Sequence, residues 1–384
     1  MLHVLNREPI TEARNAIYEG NGENVQQYSR GTGDKNSVEA LFAPALLSLG
    51  SASWTMRSDE KPSLGDEIGC ALVHTRPLRR LERIGFLGAI DYIKKGSGRS
   101  PYRRRHNRLE HSIGVAKLAE HYCDLVEMAQ HDRNLVIAAA LLHDVGHGPL
   151  SHTLEPVFDE VFGINHHRAS RDIIRGVSLG DEVLQVLRSY GVDADEVIAL
   201  IDGEDVGEYS FLFASQLNLD TLEGITRCRA FVGPRPAFGS AYSIVSKMAD
   251  QSSLPQADFD EFWKLKHDVY TLFINARQGR AFDTLAQAYM TNNISNFEMS
   301  DFLKTEVELK RSHSDLFKMF RKLADKVDEA RDDVPAAWLE RPVEIRDRRF
   351  FVRHECMLDT KTSINERYRQ SKEVRTTTLD NLLS

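Results

Sequence analysis

The sequence has few of the features that mark secreted, membrane-bound or disulfide-stabilised proteins. It has four cysteines in 384 residues, Cys70, Cys123, Cys228 and Cys356, and no two of them form a CxxC pair. This spacing argues against a disulfide framework and against a zinc ribbon. The longest apolar run, Leu135–Leu142, has eight residues, whereas a membrane span needs about 18. The first residues are polar and charged by position seven, unlike a secretory signal. We therefore predict a reduced, cytoplasmic protein with no membrane partner.

Positive charge and strand signals are also scarce. The chain has 49 Lys and Arg against 57 Asp and Glu, a net charge of −8, which is unfavourable for a non-specific nucleic-acid coat protein. Apolar residues at three- and four-residue spacing predict helices over most of the chain. The predicted helices are Pro77–Gly88, Arg108–Ala129, Arg133–Val145, His166–Arg175, Glu182–Ser189, Asp258–Leu285 and Ser300–Ala330. Val343–Met357 alone predicts strands, joined at an Asp-Arg-Arg break. The predicted fold class is all-α (mainly α) with one small β-hairpin near the end.

What the sequence has in abundance is histidine within one short region. Seven of the 14 histidines lie in residues 106–152. They are His106, His111, His121, His131, His143, His147 and His152. His143 and Asp144 follow a strongly apolar helix, which we expect to end at Gly146 in the left-handed conformation. Imidazole with carboxylate suits Mn, Fe, Co, Ni or Zn rather than Ca. A His-Asp pair by itself is explained equally well by a buried hydrogen-bonded couple.

Four motifs extend this pair into a larger pattern. They are HTRPLRRLERIGFLG (74–88), HNRLEHSIGV (106–115), LLHDVGHGPLSH (141–152) and LNLDTLEGITR (217–227). Together they resemble the HD-domain metal-dependent phosphohydrolases, and in particular the branch of the deoxynucleoside triphosphate triphosphohydrolases. The likeness covers residues 66 to 230, with a fainter echo near 259–285. It implies an HD-domain helical bundle with a helical C-terminal extension.

The resemblance also implies which residues form the site. The metal ligands would be His111, His143, Asp144 and Asp220, holding a divalent transition metal (Mn, Fe, Co, Ni or Zn) with Mg as a further ion. His147, His152 and His167 would line the pocket as catalytic residues. Glu155 would orient a histidine and raise its pKa, which makes the imidazole a better general acid near neutral pH. His166 is expected to face solvent.

Substrate phosphates call for arginine, whose planar guanidinium donates two parallel hydrogen bonds. Arg108 lies one helical turn before His111, where the family has an arginine. Arg277 would match a basic residue that holds the phosphate tail. A loop at residues 94–108 adds Arg103, Arg104 and Arg105, which indicate recruitment of a polyanion, including a nucleic-acid strand. A solvated basic surface explains this loop equally well.

The sequence departs from the family pattern where the family reads the sugar. Phe86 replaces a glutamine, and Cys228 replaces an aspartate. Thr221 and Gly224 replace a basic and an aromatic residue that usually follow the last metal ligand. The predicted metal site is therefore complete, while the residues that would recognise deoxyribose are not.

Three functions remain open from the sequence. The first is a metal-dependent phosphohydrolase that cleaves a phosphoester bond of a nucleotide, with a dNTP triphosphohydrolase-like activity as one form. The second is an HD nuclease or phosphatase acting on DNA or RNA ends, and the third is a nucleotide-sensing regulatory protein. The complete ligand set favours an enzyme over a sensor.

The same likeness divides the chain into three parts. Residues 1–65 are predicted to be a partly flexible N-terminal extension, since 19–37 are rich in glycine and polar residues. Residues 66–299 would form the HD phosphohydrolase domain. Residues 300–384 would form a helical region with the hairpin and a basic tail. We expect a homo-oligomer with a nucleotide as its substrate.

Overall fold

The described part of the molecule is a bundle of α-helices with one two-stranded sheet, which confirms the predicted mainly α class. This computed structural model describes residues 64–93, 106–203, 207–215, 217–232, 240–250, 256–325, 340, 342–348 and 374–383. All of them fall within one unit, Leu64–Ser384. None of the described helices is both long enough and apolar enough to cross a membrane.

The helices before the middle of the chain carry most of the sequence motifs. They are α1 (Glu67–Val73), α2 (Arg76–Arg80), α3 (Arg108–Leu125), α4 (Gln130–Leu142), α5 (Glu155–Phe162), α6 (His166–Ile174), α7 (Glu182–Ser189), α8 (Ala194–Asp202), α9 (Phe211–Ala214) and α10 (Leu219–Cys228). Short 3₁₀ turns at Leu81–Arg83, Gly88–Tyr92 and Ser151–Thr153 connect some of them.

The later elements complete the bundle. They are α11 (Ala241–Ala249), α12 (Gln256–Val269), α13 (Arg277–Asn292), α14 (Glu306–Ser312), α15 (Ser314–Asp325), β1 (Pro342–Arg346), β2 (Val374–Thr378) and α16 (Leu379–Leu383). The helix predicted over 258–285 is interrupted by a π-helical turn at Tyr270–Ile274. The helix predicted over 300–330 is divided into a 3₁₀ turn, α14 and α15.

Helix α4 forms the centre of the bundle. Every residue from Val136 to Leu142 is fully buried, as a helix that is apolar on all sides must be. It packs against α1, α3 and α8, and α3 packs in turn against α10 and α11. This arrangement brings the end of α4 and the beginnings of α3 and α10 to one place.

The sheet differs from the predicted hairpin. Strand β1 is where the sequence predicts it, but it pairs antiparallel with β2, from Pro342 opposite Thr378 to Arg346 opposite Val374. Its partner therefore comes from the segment predicted to be a basic tail. The alternating Val374, Thr376 and Thr378 are residues that favour strands, and this signal was masked by the charged residues before them.

Candidate active site

Four side chains from three separate segments meet where the end of α4 approaches the beginnings of α3 and α10, and one of them, Asp220, is 54% exposed. His111 Nε2 lies 3.0 Å from Asp220 Oδ1 and 3.2 Å from His143 Nε2. Both histidine nitrogens lie 3.5 Å from Asp144 Oδ2, and His143 Nε2 is 3.8 Å from Asp220 Oδ1. We call these four residues the HD centre. They are the four residues that the resemblance implies as metal ligands.

The donor separations fit a first-row transition metal. An ion bound at about 2.1 Å holds neighbouring ligand atoms about 3.0–3.4 Å apart. The observed 3.0–3.8 Å is close to that spacing, so small movements would suffice to bind an ion. Two imidazoles and two carboxylates are also the mixed nitrogen and oxygen donors that such ions accept.

Helix ends position these donors. Asn107 caps α3 by accepting a hydrogen bond from the Glu110 amide at 2.8 Å, and Asn218 caps α10 through the Thr221 amide at 2.7 Å. His111 and Asp220 thus lie in the first turns of their helices, where the helix dipole favours the negative charge of Asp220. His143 and Asp144 follow directly after α4.

Hydrogen bonds to the outer nitrogens orient both imidazoles. His143 Nδ1 lies 2.9 Å from the carbonyl oxygen of Ala140, which can only accept, so Nδ1 carries a proton and Nε2 is the nitrogen that faces the HD centre. His111 Nδ1 lies 2.5 Å from Glu223 Oε2. A carboxylate or carbonyl behind a ligating histidine is the usual support of a metal ligand.

Glu223 is a site residue that the sequence reasoning missed. Burial lowers the pKa of His111, but the charges and hydrogen bonds of Glu223 and Asp220 outweigh it and raise that pKa to about 9. Glu223 also pairs with Arg227. The available signal was its spacing, since Glu223 lies three residues after Asp220 and therefore on the same face of the helix.

Arg108 is placed behind the HD centre rather than in an open phosphate pocket. It is 3% exposed, and it donates to Asp144 Oδ2 at 2.5 Å and to Ser151 Oγ at 3.0 Å. Burial raises the pKa of Asp144, but Arg108 and the neighbouring histidines hold it well below the usual range. Arg108 thus favours the ionised form of Asp144, and its contact with substrate phosphates stays a prediction.

A second group of donors lies beside the HD centre, and we call it the histidine cluster: His147, His152, Glu155 and His166. One donor atom from each lies within 4.8 Å of the others. His152 Nδ1 is 3.0 Å from Glu155 Oε2, and the His166 amide donates to Glu155 Oε1 at 3.0 Å. The His166 ring also bonds to Glu155 and stacks on His147 with 4.2 Å between ring centroids.

The histidine cluster corrects one sequence prediction. Glu155 bonds to His152 as the resemblance implies, but the pKa of His152 is lowered to about 4 rather than raised. Burial among protein atoms, together with the charge of Arg108, outweighs the attraction of Glu155. The side chain is still 41% exposed, so solvent reaches part of the ring. Without an anionic ligand, His152 is therefore neutral at pH 7.

His166 and His167 exchange the places expected for them. His166 is only 16% exposed and belongs to the histidine cluster. The His167 side chain is 56% exposed, with its nearest carboxylate, Asp202, at 3.8 Å. Adjacent residues on a helix point about 100° apart, so only one of them can face the cleft from α6. A dipeptide of two histidines does not reveal which one that is.

The turn that follows Asp144 packs tightly against neighbouring segments. Gly146 is not in the left-handed conformation predicted for it. Instead, a Cβ atom there would lie 2.2 Å from the His166 carbonyl oxygen and 2.3 Å from the Ser170 amide. Arg80 donates to the carbonyl oxygens of Val145 and His147, each at 2.8 Å. The glycine therefore permits the close approach of α6, and Arg80 fixes the path of the turn.

An aromatic ring covers one side of the HD centre. The Phe86 and His111 ring centroids are 4.7 Å apart, and the Arg108 guanidinium carbon lies 5.1 Å from the Phe86 centroid. A Cβ at Gly224 would lie 3.4 Å from Phe86 and 3.7 Å from His111, which is ordinary van der Waals contact with both rings. Phe86 and Cys228, which replace two polar family residues, are both buried.

The remaining predicted residues are exposed or lie outside the described ranges, and their roles stay predictions. Arg277 is exposed at the beginning of α13. Arg103, Arg104 and Arg105 fall in residues 94–105, which lie outside the described residues. Lys266, which is buried, and Arg348, which is partly buried, were not predicted. Burial lowers the pKa of Lys266 to about 8, and the charge of Asp220 acts in the opposite direction.

Comparisons with known proteins agree with this geometry. Residues 108–203 match the model of the HD domain family. The chain is 35% identical over 178 residues to the uncharacterized protein YwfO of Bacillus subtilis, covering 44% of this chain and 37% of that protein. It is 30% identical over 148 residues to the deoxynucleoside triphosphate triphosphohydrolase SAMHD1 of Gallus gallus, covering 35% and 23%.

A solved structure has a similar fold over a larger part of this chain than the relatives above cover. The crystal structure of a hypothetical protein from Aquifex aeolicus matches 73% of this chain and 82% of its own chain, with a TM-score of 0.53 and 18% identity. By contrast, the chain matches only about a quarter to two fifths of the length of YwfO and SAMHD1. The family match over residues 108–203 contains His111, His143 and Asp144, whereas Asp220 lies beyond it.

Proposed function

Since residues 108–203 form an HD domain, we propose that the protein is a metal-dependent phosphohydrolase that cleaves a phosphoester bond of a nucleotide. The observation that carries the proposal is the convergence of His111, His143, Asp144 and Asp220 within 3.8 Å of a neighbour. The likeness to SAMHD1, a triphosphohydrolase by its name, supports a nucleotide as substrate. A bound divalent ion would activate a water molecule and offset phosphate charge.

The residues around the ion would share the remaining work. We assign the HD centre to metal binding, with Glu223 and Arg108 holding His111 and Asp144 in place. His147 and His152 would contact the leaving oxygen and transfer a proton, since an approaching phosphate raises the pKa of a nearby imidazole. Glu155 would orient His152. His167, which is further from the cleft, would act only on the outer part of a substrate.

The choice of nucleotide follows from what covers the HD centre. Phe86 offers an apolar face where a polar side chain would bond to a sugar hydroxyl, and Gly224 offers no side chain at all. A site built on such contacts discriminates weakly between ribose and deoxyribose. It has no buried hydrogen-bonding group that the wrong sugar would leave without a partner. We therefore propose a weaker preference for deoxyribose than a sugar-reading site would give.

The test is a substrate panel with added Mn²⁺. It should contain dNTPs, NTPs, guanosine tetraphosphate-type nucleotides, and short DNA and RNA with 3′ or 5′ phosphates. We expect phosphate or triphosphate release from a nucleotide, and at least a 10²-fold loss of turnover together with loss of bound metal in His143→Ala. His131→Ala, an exposed histidine outside the site, should retain both. If His143→Ala loses its metal but the parent protein turns over none of the substrates, the protein is a metal-binding sensor and the proposed enzymatic function is refuted.

A further inference from the structure

The segment that carries His152 has a strained backbone. Leu150 and Ser151, directly before it, have φ angles of 59° and 45°, in the left-handed region that residues with a Cβ atom rarely adopt. Both residues are buried. Such a conformation persists only where surrounding contacts hold it, and it is found most often at functional sites. The contacts around this turn therefore determine where the His152 ring lies.

On its N-terminal side, the turn is held through Ser151. The Ser151 hydroxyl donates to the Gly85 carbonyl oxygen at 2.7 Å and accepts from Arg108 Nε at 3.0 Å. The Ser151 amide donates to the Gly148 carbonyl oxygen at 3.0 Å. These contacts join one end of the turn to residues around the HD centre.

On its C-terminal side, the turn is held through Thr153, which is fully buried. The Thr153 hydroxyl donates to Asp283 Oδ1 at 2.6 Å and accepts from the Ala89 amide at 2.9 Å. Arg348 donates to the same hydroxyl at 3.1 Å and to both oxygens of Asp283 at 2.9 Å. A hydroxyl has one proton and two lone pairs, and all three are used here. We call Thr153, Asp283 and Arg348 the Thr153 hub.

The guanidinium of Arg348 is placed by the C-terminal segment to which it belongs. The Asn275 side chain donates to the Arg348 carbonyl oxygen at 2.9 Å and accepts from the Arg348 amide at 3.0 Å. The preceding residue, Asp347, pairs with Arg280 through two bonds of 2.5 and 2.7 Å. Paired bonds of this kind fix orientation as well as distance, so the position of the hub depends on residues far from the HD motifs in the sequence.

We propose that Thr153, Asp283 and Arg348 are positioning residues, which hold the strained turn so that His152 faces the leaving group of the substrate. The inference rests on the proposed function, in which His152 transfers a proton. A group that transfers a proton must lie within hydrogen-bond reach of it, and a displacement of about 1 Å can cost about 10²-fold in rate. The C-terminal segment therefore contributes to turnover without touching the substrate.

The experiment compares substitutions that remove or keep one hydroxyl. Thr153→Val keeps the shape of the side chain and removes its three hydrogen bonds, whereas Thr153→Ser keeps the hydroxyl. We expect Thr153→Val to lower kcat by about tenfold or more with KM within about threefold, and Thr153→Ser to retain about half of the parent kcat or more. Bound metal should equal that of the parent in both. Thr75→Val, which removes another buried hydroxyl, should keep the parent kcat.

Hydrogen exchange gives a second measurement that needs no turnover. The Ser151 and Thr153 amides bond within the turn, at 3.0 and 2.9 Å. Relative to the amides of α4, which report global unfolding, we expect Thr153→Val and Arg348→Gln to speed their exchange by about tenfold or more. Arg280→Gln removes the pair with Asp347 in the same segment and leaves the Thr153 hub intact, so it should change this exchange by less than about threefold.

Three outcomes would overturn the positioning role. Unchanged exchange of the turn in both Thr153→Val and Arg348→Gln contradicts it, and so does a parent-like kcat in Thr153→Val. An equal loss of kcat in Thr153→Ser or in Thr75→Val would indicate general destabilisation in place of positioning. If the parent protein turns over none of the substrates, the proposed function fails, whereas the exchange measurement still decides whether the hub holds the turn.

Discussion

At the scale of single residues, charge and protonation matter more than shape in this site. The HD centre and the histidine cluster are adjacent, yet the pKa values of His111 in the first and His152 in the second are shifted in opposite directions. The pKa of His111 is raised to about 9 by carboxylates on both sides, whereas that of His152 is lowered to about 4 by burial and by Arg108. Thus, at neutral pH without metal, His111 holds a proton where an ion would bind, whereas His147 and His152 are neutral.

Glu223→Gln tests this contrast. At pH 7 the parent His111 is protonated, and ligation through Nε2 must release about one proton. Removal of the Glu223 charge lowers the His111 pKa, so we expect the variant to release fewer protons when it binds Mn²⁺. The measurement is calorimetry in buffers with different protonation enthalpies. Glu82→Gln, a surface carboxylate, is the control.

The same pKa fixes the direction of the pH dependence. A proton competes with the ion only below the pKa of the metal-free protein. The metal affinity of the parent should therefore rise with pH, by up to about tenfold per unit, until pH 9 and then level off. In Glu223→Gln the levelling should begin at a lower pH. Equal proton release and equal pH profiles in both proteins would show that Glu223 does not control His111.

At the scale of elements, the close contact between the turn after α4 and helix α6 positions the histidine cluster. Gly146→Ala would place a Cβ atom against the backbone of His166 and Ser170. We expect overpacking to reduce the free energy of unfolding by about 1–3 kcal/mol. Gly65→Ala, where a Cβ would meet no atom within 4 Å, should change it far less. Urea unfolding of both variants makes the comparison, and equal stabilities would mean that α6 moves aside at no cost.

The elements were also the level at which sequence patterns succeeded and failed most clearly. Helices with strong apolar periodicity, such as α7, begin and end where the sequence predicts. Helix α4 begins one turn earlier than Arg133, because its first turn is polar and the apolar pattern starts only at Leu135. The pattern likewise cannot show that β1 pairs with β2, since the partner is fixed by tertiary contacts rather than by neighbouring residues.

The candidate site was predictable to a similar degree. The four residues of the HD centre follow from motifs with specific spacing. The buried environment does not, and it is what lowers the pKa of His152 and turns Arg108 toward Asp144. The only sequence signal for Glu223 was its spacing from Asp220, and the place of His166 became visible only when helices from distant parts of the chain were brought together.

At the scale of the whole molecule, Arg348 connects the C-terminal sheet to the site. It donates to both oxygens of Asp283 at 2.9 Å, to the Leu87 carbonyl oxygen at 2.8 Å and to Thr153 Oγ1 at 3.1 Å. Thr153 adjoins His152 of the histidine cluster. Residues after β1 are thus bonded to the segments that carry the cleft.

Arg348→Gln should therefore destabilise the protein well beyond the sheet. Leaving Asp283 buried without its partner costs about 3–5 kcal/mol, and Arg348→Gln/Asp283→Asn should recover part of this loss because no unpaired charge remains. Exposed Arg311→Gln is the control. The measurement is thermal or urea unfolding. A melting temperature as high as that of the control would show that the C-terminal segment is not coupled to the core.

The position of Asp220 has a consequence for how this site can be inherited or engineered. The recognisable HD segment ends at residue 203, whereas Asp220, Glu223, Phe86 and Arg80 lie outside it. An excised or grafted segment of residues 108–203 would carry three of the four donors of the HD centre and neither Glu223 nor Arg80. Residues 108–203 alone therefore cannot transfer the complete HD centre to another protein. Recombination between relatives would preserve the centre only where the exchanged piece extends from α2 through α10.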